Sequence, residues 1–543
     1  MIASQPYDPL AIWRAMADQA SGVSPSALLE VQAQAAREWS DFWLAAWGLK
    51  PPADAPRDRR FAAPAWSDDP YYRALRDAYH LASRQLKAAG ALGAGGSNSN
   101  RAMVGFLLDQ FLNAVSPANF ALTNPDVVAR TLETGGQNLV NGFQHLVEDV
   151  MAGRGIVRRR ASGDFVKGET IAATPGEVVF QNHLFQLIQY TPTTADVAAE
   201  PLLYVPPLVN KFYMIDLQPK SSLVKWLVDQ GRTVFVISWI NPDDRHRDCG
   251  VEHYVLNGIV EAIDAARRAA GTEKLDLFAF CLGGTLVSVA LAWLEAQGRS
   301  GEVNSATLIG SMVDFADMRD WAAFVNEAHL DALDAHLARR GFIEATELQQ
   351  LFAAVRANDL IWSSVINHYL LDKPAPPSDL LYWFEDGARI PQAFLRSYNR
   401  DLLFSNALRE PNGFAVGGVA IDVKTVTTPM LLIALKDDHV SAWEAVYDGA
   451  RLFGGEVTFV LGGSGHNAGV INPPAANKHG YWTNDAQPDA AAEWLAGATK
   501  HDGSWWPFWT GWLDAHGSGE HGPARAIENG IEPAPGSYVA IAH

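Results

Sequence analysis

Between Pro201 and Ser311 short apolar runs alternate with helical stretches, and this alternation restricts the fold more than any other feature of the sequence. PLLYVPP, TVFVISW, LDLFAF and SATLIGS are rich in branched and aromatic residues; SSLVKWLVDQG, EHYVLNGIVEAIDAARRAAG and GGTLVSVALAWLEAQG lie between them. Strands that are apolar on both faces and return through helices predict a parallel sheet covered on both sides. Upstream, EVVFQNHLFQLIQYTP reads as an antiparallel hairpin or one long strand. Downstream, the sheet resumes with TPMLLIALKDD and EVTFVLGGSGH, joined by the helix AWEAVYDGARLFGG. The interruption, about 313–423, is helix-like and dense in aromatics, as in DLIWSSVINHYLLDKP, and predicts a helical cap inserted into the sheet.

Up to about residue 160 the pattern is helical throughout. PSALLEVQAQAAREWSDFWLAAWG has apolar residues at three- and four-residue intervals, with Gly48 as a stop, and RAMVGFLLDQFLNAV repeats the pattern. GAGGSNSN, Gly93 to Asn100, reads as a flexible loop; its glycines follow no predicted strand, which argues against a dinucleotide loop. The expected organisation is a helical N-terminal domain over 1–170 and a catalytic domain over 171–543, with a tail from about 505.

A chain of 543 residues, 48% hydrophobic and 19% charged, is long enough for a large core with helical additions. A net charge of -19 argues against wrapping nucleic acid, which needs a basic face; a local basic pocket for an anionic small molecule is still compatible with it. Two cysteines, Cys249 and Cys281, build no disulfide framework and fit a reducing cytoplasm. MIASQPYDPLAIWRAMADQA lacks a basic stretch followed by an apolar one, so no signal peptide is expected. No apolar run approaches the roughly 20 residues that span a bilayer.

One of those cysteines sits in LDLFAFCLGGTL, at a bend between a predicted strand and a predicted helix. A nucleophile elbow has the form Gly-x-nucleophile-x-Gly at such a turn, with small flanking residues because the backbone is tight and strained. Here the frame is Ala279-Phe280-Cys281-Leu282-Gly283-Gly284. Cys281 would stand above the sheet at a helix N-terminus, where the positive end of the helix favours a thiolate. The Leu282 N–H would face a developing oxyanion. A free cysteine is more often a buried structural residue, and Cys-x-Gly-Gly alone does not outweigh that. Its partners do. Asp437 or Asp438 ends the strand LLIALKDD, His466 follows the last predicted strand in FVLGGSGHNAGVINPP, and nucleophile, acid and His come in the order an α/β-hydrolase fold requires.

Other signals are weaker. GRGIVRRR, Gly153 to Arg160, would attract phosphates but reads first as a solvated turn. Cys249 in NPDDRHRDCG is incidental, and GSWWPFWTGWL reads as core packing. The 15 histidines show no His-Glu-x-x-His and the cysteines no pairing, so no metal site is expected.

At these residues the chain resembles the class I polyhydroxyalkanoate (poly-3-hydroxybutyrate) synthases. The likeness runs through DFWLAAWG, DRRFAAPAW, SPANFALTNP, VFQNHLFQLIQY, PPLVNKFYMIDLQPKSSLV, FVISWINPD, FCLGGT, ANDLIW, SGHNAGVINPP and GSWWPFW. It covers nearly the whole length, leaving out the loop near Gly93 and the last twenty or so residues. The resemblance implies an acyltransferase that polymerises 3-hydroxyacyl-coenzyme A, short-chain 3-hydroxybutyryl-coenzyme A in particular, through a Cys-linked thioester. The family's catalytic Cys falls on Cys281 and its His on His466. Its Asp, which precedes a His, falls on Asp438 rather than Asp437. A second oxyanion donor, in the loop after LLYVPP, falls near Val209. Also implied are a cytoplasmic homodimer on the surface of polyester granules, granule-coat proteins as partners, and no cofactor beyond the coenzyme A of the substrate. His439 either lines the pocket or serves the structure. Asp438 either orients His466 or activates the attacking 3-hydroxyl.

The sequence departs from the family pattern at Ala279, where the box usually opens with Gly; Ala fits if its φ is negative. Phe384 and Ala388, in YWFEDGARIP, replace the usual Asn and Thr of the cap, and Asn467 follows the His where an apolar residue is common. These bear on cap movement and substrate preference more than on chemistry. The competing readings are a thioesterase or polyester depolymerase on the same fold, and a granule-bound scaffold whose catalysis has decayed.

Overall fold

The computed structural model describes residues 24–51, 56–92, 98–151, 164–373 and 377–542. The basic turn Gly153–Arg160 lies outside them, as do Gly93–Ser97 of the expected loop, whose remaining residues open a helix instead. The chain forms two compact units: residues 1–162, 320–326 and 349–377, and residues 163–319, 327–348 and 378–543. The inserted stretch therefore contributes to both.

The first unit is built on α1 (Pro25–Ala46), α2 (Pro70–Ala91), α3 (Asn98–Ala114), α4 (Pro125–Glu133) and α5 (Gln137–Met151). Three of these open on a polar cap followed by proline, which satisfies an orphan N–H and pre-sets the helical φ. Ser24 Oγ accepts from the Ala27 N–H at 3.1 Å, Asp69 from Tyr71 at 2.8 Å and Asn124 from Asp126 at 3.0 Å. α1 ends as its sequence predicts, with Gly48 at φ +73°. Within this unit the inserted stretch is tied to α5: Tyr369 donates to Asp149 at 2.9 Å, and Asn138 Nδ2 to the Leu370 carbonyl at 2.7 Å.

The second unit carries an 11-stranded sheet. Its strands are β1 (Gly176–Gln181), β2 (Phe185–Tyr190), β3 (Leu202–Val205), β4 (Val234–Trp239), β5 (Leu275–Phe280), β6 (Val303–Ile309), β7 (Met430–Leu435), β8 (Val457–Gly462), β9 (Tyr481–Thr483), β10 (Thr499–His501) and β11 (Glu532–Pro533). They lie in the order β10-β9-β8-β7-β6-β5-β3-β4-β2-β1-β11. The run from β8 to β4 is parallel, and antiparallel strands flank it on both sides. Residues 176–190 form the hairpin rather than one long strand.

Helices cover both faces: α6 (Leu223–Asp229), α7 (Glu261–Ala270), α8 (Leu282–Ala296), α9 (Trp443–Ala450) and α10 (Trp506–His516). The period of two along each strand divides the core in two. Leu203, Leu277 and Leu432 pack on one face; Leu202, Phe278 and Ile433 pack on the other with Trp509 of α10. α8 is buried almost all round, which explains why its sequence is apolar on every face, with only the small polar residues Thr285 and Ser288 in its interior. Among the described residues no helix is long and apolar enough to cross a membrane.

After β3 the chain moves to one side for β4 and then to the other side for β5. Such a switch opens a crevice at the carboxyl ends of the two strands, where ligands of open α/β sheets bind.

The insertion is only partly helical. Helices Glu327–Arg340, Ala345–Val355, Asp379–Glu385 and Gln392–Ser397 are interspersed with π-helical stretches at Ala357–Trp362, Val365–Leu370 and Tyr398–Phe404. Phe414–Val416 and Val419–Ile421 then pair as a hairpin where the sequence pattern predicts helix. The reason is the turn: Gly417 and Gly418 have φ of +59° and +74°, the two consecutive left-handed residues that a tight hairpin needs.

Candidate active site

Cys281 follows β5 directly and is the N-cap residue of α8, with φ +53° and ψ -127°. Left-handed backbone at a non-glycine residue is strained and persists only where its surroundings fix it. Here the Cys281 N–H donates to the Ile309 carbonyl of β6, and the Cys281 carbonyl accepts from the Gly284 N–H, both at 2.9 Å. The glycines are there for space. A Cβ on Gly283 would lie 2.4 Å from the Val205 carbonyl oxygen at the end of β3, and one on Gly284 would lie 2.0 Å from Ser311 Oγ. Ala279 replaces the usual glycine without penalty, because it stays in β5, paired with Val205 and Leu308 and absent from the left-handed residues. Leu282 is the first residue of α8, so its N–H has no acceptor within the helix.

Asp438 lies beyond β7 and His466 beyond β8, parallel strands that run alongside β6 and β5 in the order β8-β7-β6-β5, so both residues leave the same end of the sheet as the elbow. His466 Nδ1 and Asp438 Oδ2 are 2.6 Å apart. A carboxylate only accepts, so Nδ1 carries the hydrogen and the other ring nitrogen is left for the sulfur. Asp438 Oδ1 is held in turn by the Val440 and Ser441 N–H groups at 2.7 and 3.0 Å. The two candidate aspartates thus separate: Asp437 is exposed, while the Asp438 side chain is fully buried. Phe280 packs its ring 4.6 Å from that of His466. Gly310, at φ +55°, lets the chain pass so close that a Cβ would sit 3.4 Å from the imidazole and 3.5 Å from Asp438 Oδ2. Burial opposes the imidazolium, but the Asp438 carboxylate and the Cys281 sulfur, with the hydrogen bond to Asp438, outweigh it and push His466 up to about 10. His466 and Asp438 are joined directly, and the charge of the Cys281 sulfur acts on the same ring; a strongly basic imidazole near a thiol is chemically fitted to take its proton.

The aromatic tail holds this loop in place. Trp505 Nε1 donates to the Gly469 carbonyl at 2.8 Å and Trp506 Nε1 to the Val470 carbonyl at 3.0 Å, both just past His466. Trp509 and Trp512 donate to Thr307 and Thr458 on the sheet. Core packing is the role of this cluster, and its specific effect is to fix the His466 loop. Trp505→Phe should leave a buried carbonyl unpaired and lower stability by about 1–3 kcal/mol, measured by urea denaturation.

Val209 lies in the loop after β3. Trp239 Nε1 anchors that loop at the Pro206 carbonyl, 3.0 Å away, and the Val209 carbonyl accepts from the Ala388 N–H at 3.0 Å. Ala388 thus meets the loop through its backbone, while Phe384 packs against the second core cluster. The His439 ring lies 6.4 Å from that of His466, edge-on. The Asn467 carbonyl accepts from the Val470 and Ile471 N–H groups, so this residue shapes the loop through its backbone. Phe280, Gly310 and Trp505 were not among the residues expected from sequence, although their surroundings were. A glycine directly after a strand and a tryptophan pair in a tail both signal close packing without saying against what. Among the described residues no group of three or more His, Cys, Asp or Glu side chains is placed to hold a metal ion.

Two family profiles match the chain: "Poly-beta-hydroxybutyrate polymerase (PhaC) N-terminus" over residues 57–227 and "alpha/beta hydrolase fold" over residues 201–473. A poly(3-hydroxyalkanoate) polymerase of Methylorubrum extorquens is 41% identical over 500 residues, covering 91% of this chain and 82% of the relative. The poly(3-hydroxyalkanoate) polymerase subunit PhaC of Cupriavidus necator is 40% identical over 532 residues, covering 95% and 89%. Among solved structures, epoxide hydrolase A of Mycobacterium thermoresistibile aligns at 15% identity with a TM-score of 0.34, covering 60% of this chain and 100% of its own.

Proposed function

The chain belongs to the family of poly(3-hydroxyalkanoate) polymerases, and from that premise we propose that it is an acyltransferase that polymerises short-chain 3-hydroxyacyl-coenzyme A through a thioester on Cys281. The observation that carries this reading is Cys281 on the strained elbow together with a buried His466–Asp438 pair, 2.6 Å apart, in which the carboxylate and the nearby sulfur make the imidazole strongly basic.

His466 takes the Cys281 proton, and the sulfur bonds to the thioester carbonyl carbon of the substrate. The negative charge that develops on the carbonyl oxygen falls to the Leu282 and Val209 N–H groups, a donor being worth about 3 kcal/mol in such sites. Coenzyme A leaves as the carbonyl re-forms and takes the proton from His466. One thioester has replaced another at little energetic cost, so the acyl group stays activated. The 3-hydroxyl of the next acyl unit then attacks the acyl-enzyme; its proton passes to His466 and on to the departing sulfur, and an ester is formed. Asp438 orients His466 through Nδ1, and the fully buried carboxylate favours this role over activation of the hydroxyl. His439, one ring away, lines the acyl pocket. No cofactor is required. The protein acts as a class I homodimer in the cytoplasm, on the granule surface, where coat proteins join it.

Incubation with 3-hydroxybutyryl-coenzyme A tests this. Thiol release accompanied by turbidity is expected. Thiol release with only free acid identifies a hydrolase, and no thiol release identifies a scaffold.

A further inference from the structure

Where the cap segment meets the loop after β3 lies a largely buried ionic cluster that the chemistry above does not use. Asp386, in the cap segment, accepts from Lys211 Nζ at 2.7 Å, Lys167 Nζ at 2.8 Å and Tyr213 OH at 2.7 Å. Lys211 is 6% exposed. Its ammonium also donates to the carbonyls of Val539 and Ile541 at 2.8 and 3.1 Å, and Lys167 donates to Val539 at 3.1 Å. The end of the chain, the cap segment and the loop after β3 therefore meet at one carboxylate. Burial pulls the Lys211 ammonium down to about 8 even with Asp386 beside it, so this charge is retained at a cost.

The cluster is continuous with the loop that carries Val209. Trp383 Nε1 donates to the Lys211 carbonyl at 2.7 Å, Asn210 Nδ2 reaches the Trp383 and Phe384 carbonyls at 3.4 Å, and the Ala388 N–H holds the Val209 carbonyl. Residues 209–211 are pinned on both sides by residues 383–388, with Asp386 at the centre. We propose that Asp386 is a positioning residue for the oxyanion site: through Lys211 and Tyr213 it sets where the Val209 N–H stands relative to Cys281. This deepens the proposed function and rests on its assignment of Val209. Movement of the cap segment then moves the oxyanion donor, so that entry of substrate and competence for attack are coupled at one carboxylate.

Two reactions of the same sulfur isolate this effect. Acylation of Cys281 by p-nitrophenyl acetate passes through an oxyanion; alkylation by iodoacetamide does not. Peptide mass spectrometry assigns both to Cys281 rather than Cys249. In Asp386→Asn, acylation should fall about 10- to 100-fold while alkylation stays within about 2-fold, as expected for a misplaced oxyanion donor. Should that variant fail to fold with its lysines unpaired, Tyr213→Phe removes one hydrogen bond and no charge, and should slow acylation about 2- to 5-fold with alkylation again unchanged. A merely structural role would move both reactions together, and an unchanged ratio of acylation to alkylation overturns the proposal. Because neither probe is a polymer precursor, failure to make polymer would count against the proposed substrate and not against Asp386.

Discussion

Cys281→Ala should release no thiol from 3-hydroxybutyryl-coenzyme A above the uncatalysed background, a loss of at least about 10³-fold in turnover for removal of a covalent nucleophile. The substitution deletes one sulfur from a half-buried site and keeps the same left-handed backbone, so the elbow strain is unchanged and the fold should survive. Urea denaturation should place its stability within about 1 kcal/mol of the parent. Cys281→Ser is the sharper experiment. The oxygen is a poorer nucleophile at neutral pH, and the oxygen ester it forms is less reactive toward an incoming hydroxyl than a thioester. Turnover should fall about 10²- to 10⁴-fold, with at most one acyl group per chain trapped on residue 281 and visible by intact-mass spectrometry. Persistent thiol release by the Ala variant, measured with a thiol-reactive dye, would remove Cys281 from the reaction.

The elbow was legible because it is local. A strand, a bend and a helix follow one another within LDLFAFCLGGTL, and period, apolarity and small residues all point the same way. The central parallel strands were legible for a similar reason, since burial on both faces writes them as short, unbroken apolar runs. The outer strands β9, β10 and β11 are only two or three residues long, too short for any periodicity to mark them, and the edge strands β10 and β11 carry no apolar run. Residues 414–421 show a different failure. Their aromatic-rich neighbourhood masks a hairpin that the pair Gly417–Gly418 does encode. Choosing between Asp437 and Asp438 required the family pattern, because adjacent aspartates at a strand end differ only in which way each side chain turns. The Asp386 cluster could not be read at all. Its members lie near residues 167, 211, 386 and 540, and their contact exists only after the loop, the cap segment and the chain end have folded together.

Asp438→Asn should lower kcat about 10²- to 10⁴-fold while leaving the substrate KM near its parent value, because the lost interaction orients and charges His466 rather than binding the acyl group. An amide oxygen still accepts from the Val440 and Ser441 N–H groups, so the loop keeps its anchor. What disappears is the negative charge that favours protonated His466. That loss has a signature in stability. An unfolded histidine titrates near 6.5, and the folded parent holds His466 up to about 10. The raised value contributes stability that is fully present below about pH 6.5 and is lost as pH rises toward 10, because the folded state binds a proton there that the unfolded chain does not. Urea denaturation across this window should therefore show the parent weakening with rising pH, and Asp438→Asn weakening much less over the same range. Parallel slopes for the two proteins would mean that the carboxylate does not hold the proton on His466, and a thiol activated by that pair would lose its physical basis.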